Sequence, residues 1–374
     1  MIARFKLISS ENKQISLLMR GLALFWLITK LFSYKTWIFE REFPVIAPAE
    51  FLQNASANIH FILFIVAIIF LSLVLIFPKK KFVLIFIIVE LLSCSLDTVR
   101  WQPWEYMYLC IFVVYLFNFN KTNFFFLLVH LLLVSMYVFS GLHKVNRGFL
   151  SAVWVEMILH RFLNLSIDTI LTYKLFFVGL LIPFTELLAG ILLLFTKNKR
   201  KITYFLIVVH LIILFLIGPF GLNYNPIVWG WNLAMIFLLI VVYLKPIQGL
   251  TPVFLKKNTV WLLLWFGMPV FSFFGMWYQY FSSSLYTGKE KQLYIYISKE
   301  NKEYQVFSEP SVFTVNQDYY VVNLQNWALK EIKSIPLPEN EIYHKISISL
   351  KKKLGKDCKK IILYNPQTKE QIVL

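Results

Sequence analysis

The sequence predicts an all-α polytopic membrane helical bundle of about nine spans, followed by a small C-terminal β-rich extracytoplasmic domain. Three observations carry that expectation. Hydrophobic residues make up 58% of the chain and charged ones only 15%, against roughly 45–50% and about 25% in soluble domains. Runs such as 59–77 carry no formal charge, and at about 1.5 Å per residue such a run crosses the roughly 30 Å hydrocarbon slab. Beyond residue 288 the texture changes to mixed charge with short period-two alternation, the pattern of half-buried strands.

Hydropathy places the spans near 15–32, 59–77, 82–96, 106–119, 123–141, 172–195, 202–219, 228–244 and 260–281. Segment 150–165 is amphipathic, with Trp154, Met157, Ile158 and Phe162 at helical spacing, and is expected to lie along the interface. The tail alternates at LYIYIS (293–298), YYVVNL (319–324), ISIS (346–349) and IILY (361–364), each expected to be a strand. The domains expected are therefore 1–288 and 289–374.

The net charge of +17 is distributed as a topology signal. With the N-terminus inside, one side carries Arg4, Lys6, Lys13, Lys79, Lys80, Lys81, Lys121, Lys197, Lys199, Arg200, Lys201, Lys245, Lys256 and Lys257. The other carries only Lys35, Arg41, Arg100, Lys144, Arg147, Arg161 and Lys174, so the tally is 14 against 7. The positive-inside rule then favours a cytoplasmic N-terminus and, with an odd number of spans, an external tail. No basic stripe is interleaved with aromatic residues as strand binding requires, so no nucleic-acid partner is expected. Cys94, Cys110 and Cys358 have neither disulfide nor zinc spacing, and no metal site is expected. Arg20 and Lys30 interrupt the first apolar run, which does not fit a cleavable signal.

Ionisable groups at membrane depth cost about 2.5–3.5 kcal/mol each on the insertion scale, so they need a partner or a task. Glu90, Ser93 and Asp97 share one helix face, as do His130, Tyr137 and Lys144. Gly179, Pro183, Glu186 and Gly190 form a small-residue face with one carboxylate. Arg20 and Lys30 either snorkel or pair with Glu90 or Glu186. His130 and His210 are expected to be interhelical hydrogen bonders. Three polar turns, 97–106, 140–149 and 218–226 with Trp229 to Asn232, fall on the external side. Their convergence suggests a polar chamber open to that side.

At these turns the chain resembles the horizontally transferred transmembrane (HTTM) family, related to the vitamin K-dependent γ-glutamyl carboxylase. The likeness covers roughly residues 10–285 and lies in Leu18-Met19-Arg20-Gly21, in Asp97 with Trp101, Tyr106 and Tyr108, in Tyr137 to Lys144, in His160-Arg161, and in Glu186 to Gly190 with His210. It implies Lys144 as a base acting on a reduced quinone, so a quinone is the cofactor or substrate expected. Trp104 stands where the family has a histidine, leaving His143, His160 or Glu105 as substitutes. The candidate catalytic residues are Lys144, His143 and Asp97. Candidate substrate-binding residues are Arg100, Trp101, Trp104, Tyr106, Asn223, Trp231, Asn232, Glu186 and His210.

A non-catalytic binding, transport or scaffold component of a membrane redox or export complex is the alternative. The Gly141-x-x-Lys144 turn is also similar to one in DoxX-type quinol-oxidase subunits, and the tail would then dock a protein partner. The partners expected are the lipid membrane and a lipid-soluble small molecule. Rich Lys, Ile, Phe and Asn usage fits a bacterial inner, or sole, membrane.

Overall fold

A computed structural model describes residues 2–247, 249–298, 313–315 and 319–374, with side chains from residue 13 onward except at 313–315. The side chains of Arg4 and Lys6, counted above in the loop charges, lie outside the described residues.

The apolar runs fold as helices: α1 Ile2–Phe32, α2 Ala57–Ile76, α3 Lys80–Ser95, α4 Pro103–Asn118, α5 Thr122–Lys144, α6 Leu181–Phe195, α7 Arg200–Ile217 and α8 Pro226–Val242. A mixed helical run, Thr259–Phe274, closes the series. Among the described residues, five stretches are long and apolar enough to cross a membrane: Lys13–Phe32, Ala57–Ile76, Thr122–Lys144, Leu175–Phe195 and Arg200–Ile217. The remaining runs are shorter than the nine-span expectation requires. The last expected span ends at Phe274 rather than 281, because Gly275 turns into the left-handed region at φ 71°, a conformation open to glycine at no steric cost. Segment 150–165 is helical over Phe149–Phe162.

The helices differ sharply in what they face. Within the apolar window of α5, 78% of residues are buried, against 22% in α7 and 28% in α2. Helix α5 is therefore the central pillar, and α2 and α7 turn apolar side chains outward. Glycine sets its approach to α6. A Cβ on Gly141 would stand 2.6 Å from the Leu187 nitrogen, and one on Gly190 would stand 2.9 Å from the Val138 nitrogen. Small residues at such crossings let two backbones touch.

The tail forms a five-stranded antiparallel sheet in the order β2-β3-β1-β4-β5. Its strands are β1 Gln292–Ser298, β2 Phe313–Val315, β3 Tyr319–Asn323, β4 Cys358–Tyr364 and β5 Gln371–Val373. Three of the four expected strands are present. The fourth is corrected, because ISIS lies inside helix α10, Asn340–Leu354, which joins α9, Leu324–Glu331. Ile342, Ile346, Leu350 and Leu354 recur every four residues and are buried against the sheet's Leu293, Ile295 and Ile361. Burying that stripe decided the helix over local alternation.

Tail and bundle share one core. Phe43, Ile46, Val99 and Tyr280 cluster with the tail's Leu293, Trp327 and Tyr343. Thr36 Oγ1 donates to the Ile332 carbonyl at 2.6 Å, and Gln102 Nε2 donates to the Ile335 carbonyl at 2.8 Å. Gly148 and Gly288 meet so closely that a Cβ on either would lie 2.2 Å from the other's carbonyl oxygen. Asn225 Nδ2 donates to Tyr286 Oη at 3.2 Å. All three polar turns thus adjoin the tail, or the chain leading to it, at one end of the bundle.

Candidate functional site

The α5 stripe organises the site, since residues seven apart return to one helix face. His130 Nδ1 lies 2.8 Å from Tyr243 Oη, and Tyr137 Oη lies 2.8 Å from His210 Nε2. At the tail end of the stripe, Lys144 Nζ donates to Ser140 Oγ at 2.8 Å and to Glu186 Oε2 at 2.6 Å. Each α5 residue therefore finds a different partner helix.

Asn232 fixes the tautomer of His210. Its Nδ2 donates to the Val228 carbonyl at 2.8 Å, so its Oδ1 faces His210 Nδ1 at 2.7 Å as an acceptor. The imidazole proton then sits on Nδ1, and Nε2 accepts from the Tyr137 hydroxyl. A Tyr137–His210–Asn232 chain, all three residues buried, lines one wall of a cavity.

That cavity, about 80 Å³, is also bordered by Lys144, Glu186, Trp231 and Tyr286, with Met136, Ile213, Val228 and Met235 supplying an apolar side. The space would hold on the order of five waters or one small organic group. Trp231 Nε1 is buried beside it with no hydrogen-bond acceptor among the described residues. An unpaired buried donor costs about 1–3 kcal/mol, so this N–H is poised for an acceptor on a bound molecule. The Lys144–Glu186 pair is only 14% and 17% exposed. It presents an ammonium donor and a carboxylate acceptor side by side. Because Lys144 already donates to Glu186, the lone pairs available to take a proton belong to the carboxylate.

Five of the expected residues therefore meet here: Lys144, Glu186, His210, Trp231 and Asn232. Trp104 stands behind them, its ring 6.1 Å from that of Trp231. The others are placed elsewhere. Asp97 caps the turn at 98–100 and pairs with Arg41 at 2.5 Å. Arg100, fully buried, donates to the carbonyls of Thr36, Ser93 and Trp37, to Ser93 Oγ and to His60 Nδ1. Trp101 and Tyr106 pack on Phe281, at 5.4 and 4.9 Å between ring centroids. Asn223 occupies a left-handed turn at φ 50° and does not border the cavity.

His143 also parts company with Lys144. Consecutive helical residues point about 100° apart, and His143 faces a second cleft, where it meets Ser272 at 3.0 Å and Lys289 at 2.8 Å and stacks on Phe273. Nor do the other substitutes reach the cavity. His160 Nδ1 contacts the Leu165 carbonyl, and Glu105 joins Lys30 and Glu90 in a separate buried cluster. Tyr286 and Leu285, which complete the cavity, come from the exit of the last apolar run, where the sequence carries no polar motif. No metal-binding cluster of His, Cys, Asp and Glu is found among the described residues. No family model, curated protein or solved structure matches this chain.

Proposed function

We propose that the chain is an integral membrane protein of the HTTM/carboxylase-like class whose cavity takes a lipid-soluble molecule bearing a carbonyl or quinone-type oxygen. The observation that carries this reading is the meeting of the Lys144–Glu186 pair and the unpaired Trp231 N–H beside a largely apolar pocket. Ligand sites are mostly apolar with a few converging polar groups. Lys144 and Trp231 would donate to the ligand oxygen. In a catalytic version the ligand is the reduced, hydroxyl-bearing form: Glu186 takes its hydroxyl proton and Lys144 stabilises the oxyanion left behind. The positive-inside rule supports a cytoplasmic N-terminus with the tail outside, and the rich Lys, Ile, Phe and Asn usage supports a bacterial inner, or sole, membrane.

Lipid extracts of the purified protein, analysed by mass spectrometry, test the reading. The wild type is expected to retain a stoichiometric small lipid or quinone, and Trp231→Phe and Glu186→Gln to lose most of it. Equal retention by all three proteins, or none by the wild type, would overturn the assignment. Single cysteines at Asn146, Asn223 and Lys289 should label from the extracytoplasmic side. Labelling from the cytoplasm would overturn the orientation.

A further inference from the structure

The second cleft, about 440 Å³, opens between the end of α5, the turn after Phe274 and the tail. It holds opposite charges that do not pair with each other. Lys289 and Lys291 enter from the irregular segment leading to β1, and Glu339 enters from the start of α10. No ion pair joins Lys289 or Lys291 to Glu339 among the described residues, although Glu339 and Lys289 influence one another electrostatically.

Each group is held from behind with capacity to spare. Lys289 gives one of its three N–H bonds to His143 Nδ1 at 2.8 Å. That bond leaves the ring proton on His143 Nε2, facing Ser272, whose hydroxyl donates to the Pro269 carbonyl at 2.6 Å. Lys291 gives one N–H to Asn340 Oδ1 at 2.8 Å. Glu339 Oε1 accepts the Gln279 backbone N–H at 2.9 Å. Beside it, the side-chain oxygen of the same Gln279 is buried without a donor among the described residues. Glu290 is turned away, its Oε1 taken by the Thr287 hydroxyl and backbone N–H.

Two ammonium groups with free donors call for an anion. A carboxylate next to an orphan amide oxygen calls for a cationic N–H donor. We propose that this cleft binds a zwitterion in which a primary amine is joined to a phosphate, of the phosphoethanolamine type, with Lys289 and Lys291 on the phosphate and Glu339 with Gln279 Oε1 on the amine. The same chemistry is available free or as a lipid headgroup. Leu142, Val145 and Phe273 at the rim are 36%, 42% and 47% exposed, an apolar border on which acyl chains could lie.

Calorimetric titration of the full-length purified protein with phosphoethanolamine tests the site, with inorganic phosphate, ethanolamine and phosphocholine as comparison probes. Phosphoethanolamine is expected to bind at least tenfold tighter than the other three, because a quaternary amine cannot donate to Gln279. Glu339→Gln and Lys291→Ala are each expected to weaken binding about tenfold, and both keep the Lys289–His143 bond that anchors the junction. In a parallel arm, protein reconstituted in phosphatidylethanolamine or phosphatidylcholine vesicles is re-extracted and its retained lipid counted. Selective retention of phosphatidylethanolamine with weak binding of the free compound supports the lipid as source, and the reverse supports the free compound. Equal binding of inorganic phosphate or phosphocholine, unaffected by Glu339→Gln, would overturn the proposal, as would no binding in either arm.

Discussion

Replacing Lys30 by Met should be among the most damaging single changes in the bundle. Lys30 Nζ stands 2.8 Å from Glu90 Oε1 and 3.2 Å from Glu105 Oε1, and the three side chains are 0%, 1% and 2% exposed. Trp26 Nε1 donates to the same Glu105 oxygen at 2.6 Å, and the ammonium lies over the Trp37 ring. Both second carboxylate oxygens, Glu90 Oε2 and Glu105 Oε2, have no hydrogen-bond partner among the described residues. Methionine matches the length of the lysine stem but removes the one cation, among the described residues, that pairs with these two buried carboxylates. Breaking a buried ion pair in this way costs about 3–5 kcal/mol, because the charge left behind is uncompensated. Glu90→Gln behaves differently: it leaves one ammonium with one carboxylate, so its cost should stay below about 1 kcal/mol. Denaturant or thermal unfolding of the purified protein, followed by tryptophan fluorescence, measures both. If Lys30→Met lies within about 1 kcal/mol of wild type, or if Glu90→Gln is the worse of the two, the cluster is not the electrostatic lock described.

Gly141→Ala should cost about 1–3 kcal/mol by overpacking, since the new methyl meets the backbone of Leu187 and Pro183 at 2.6 and 2.7 Å; an unchanged melting curve would contradict the close crossing. Arg100→Lys should cost about 3 kcal/mol, because one ammonium cannot reach the acceptors the buried guanidinium fork now serves; a loss under about 1 kcal/mol would show that solvent takes over those contacts. Zwitterion binding in the second cleft should follow a bell in pH. Burial raises the Glu339 carboxyl above its usual range, so affinity climbs as pH rises through that raised value, and burial lowers the Lys289 ammonium, so affinity falls again on the alkaline side. Lys291, Glu290 and His143 are the neighbouring titratable groups, and Glu339→Gln should remove the acid limb alone.

Much of the bundle was legible because its polar residues obey helical spacing. His130, Tyr137 and Lys144 do share a face, and each meets a partner on another helix. Glu90 and Ser93 share a buried face of α3, whereas Asp97, expected on the same face, lies beyond the helix end at Ser95 and is buried as the cap of the next turn. What spacing could not supply was the identity of partners far away in the chain. Lys30 had Glu90 or Glu186 as candidates, and it takes Glu90 together with Glu105, which lies in the neighbouring helix. Alternation misled at Ile346–Ser349 because a four-residue window fits both periods. The wider set Ile342, Ile346, Leu350 and Leu354 already carried the helical signal. Lys289, Gln279 and Glu339 gave no signal at all, since the cleft exists only once the tail has docked.

Docking of the tail explains why adjacent residues of one turn can serve two sites. Helix α5 ends at His143 and Lys144, and their side chains leave the last turn on different flanks. Lys144 is held toward α6 by Glu186, while His143 is held toward the tail by Lys289 and Ser272. The Gly148–Gly288 contact holds the chain just beyond both against the segment that carries Lys289. A single chamber served by all three turns would make the two residues interchangeable in effect. Two cavities divided by the end of α5 make them independent. Glu186→Gln should therefore leave phosphoethanolamine binding unchanged, and Glu339→Gln should leave the lipid retained beside Lys144 unchanged. Loss of both ligands from either variant would mean that the turns act as one chamber after all.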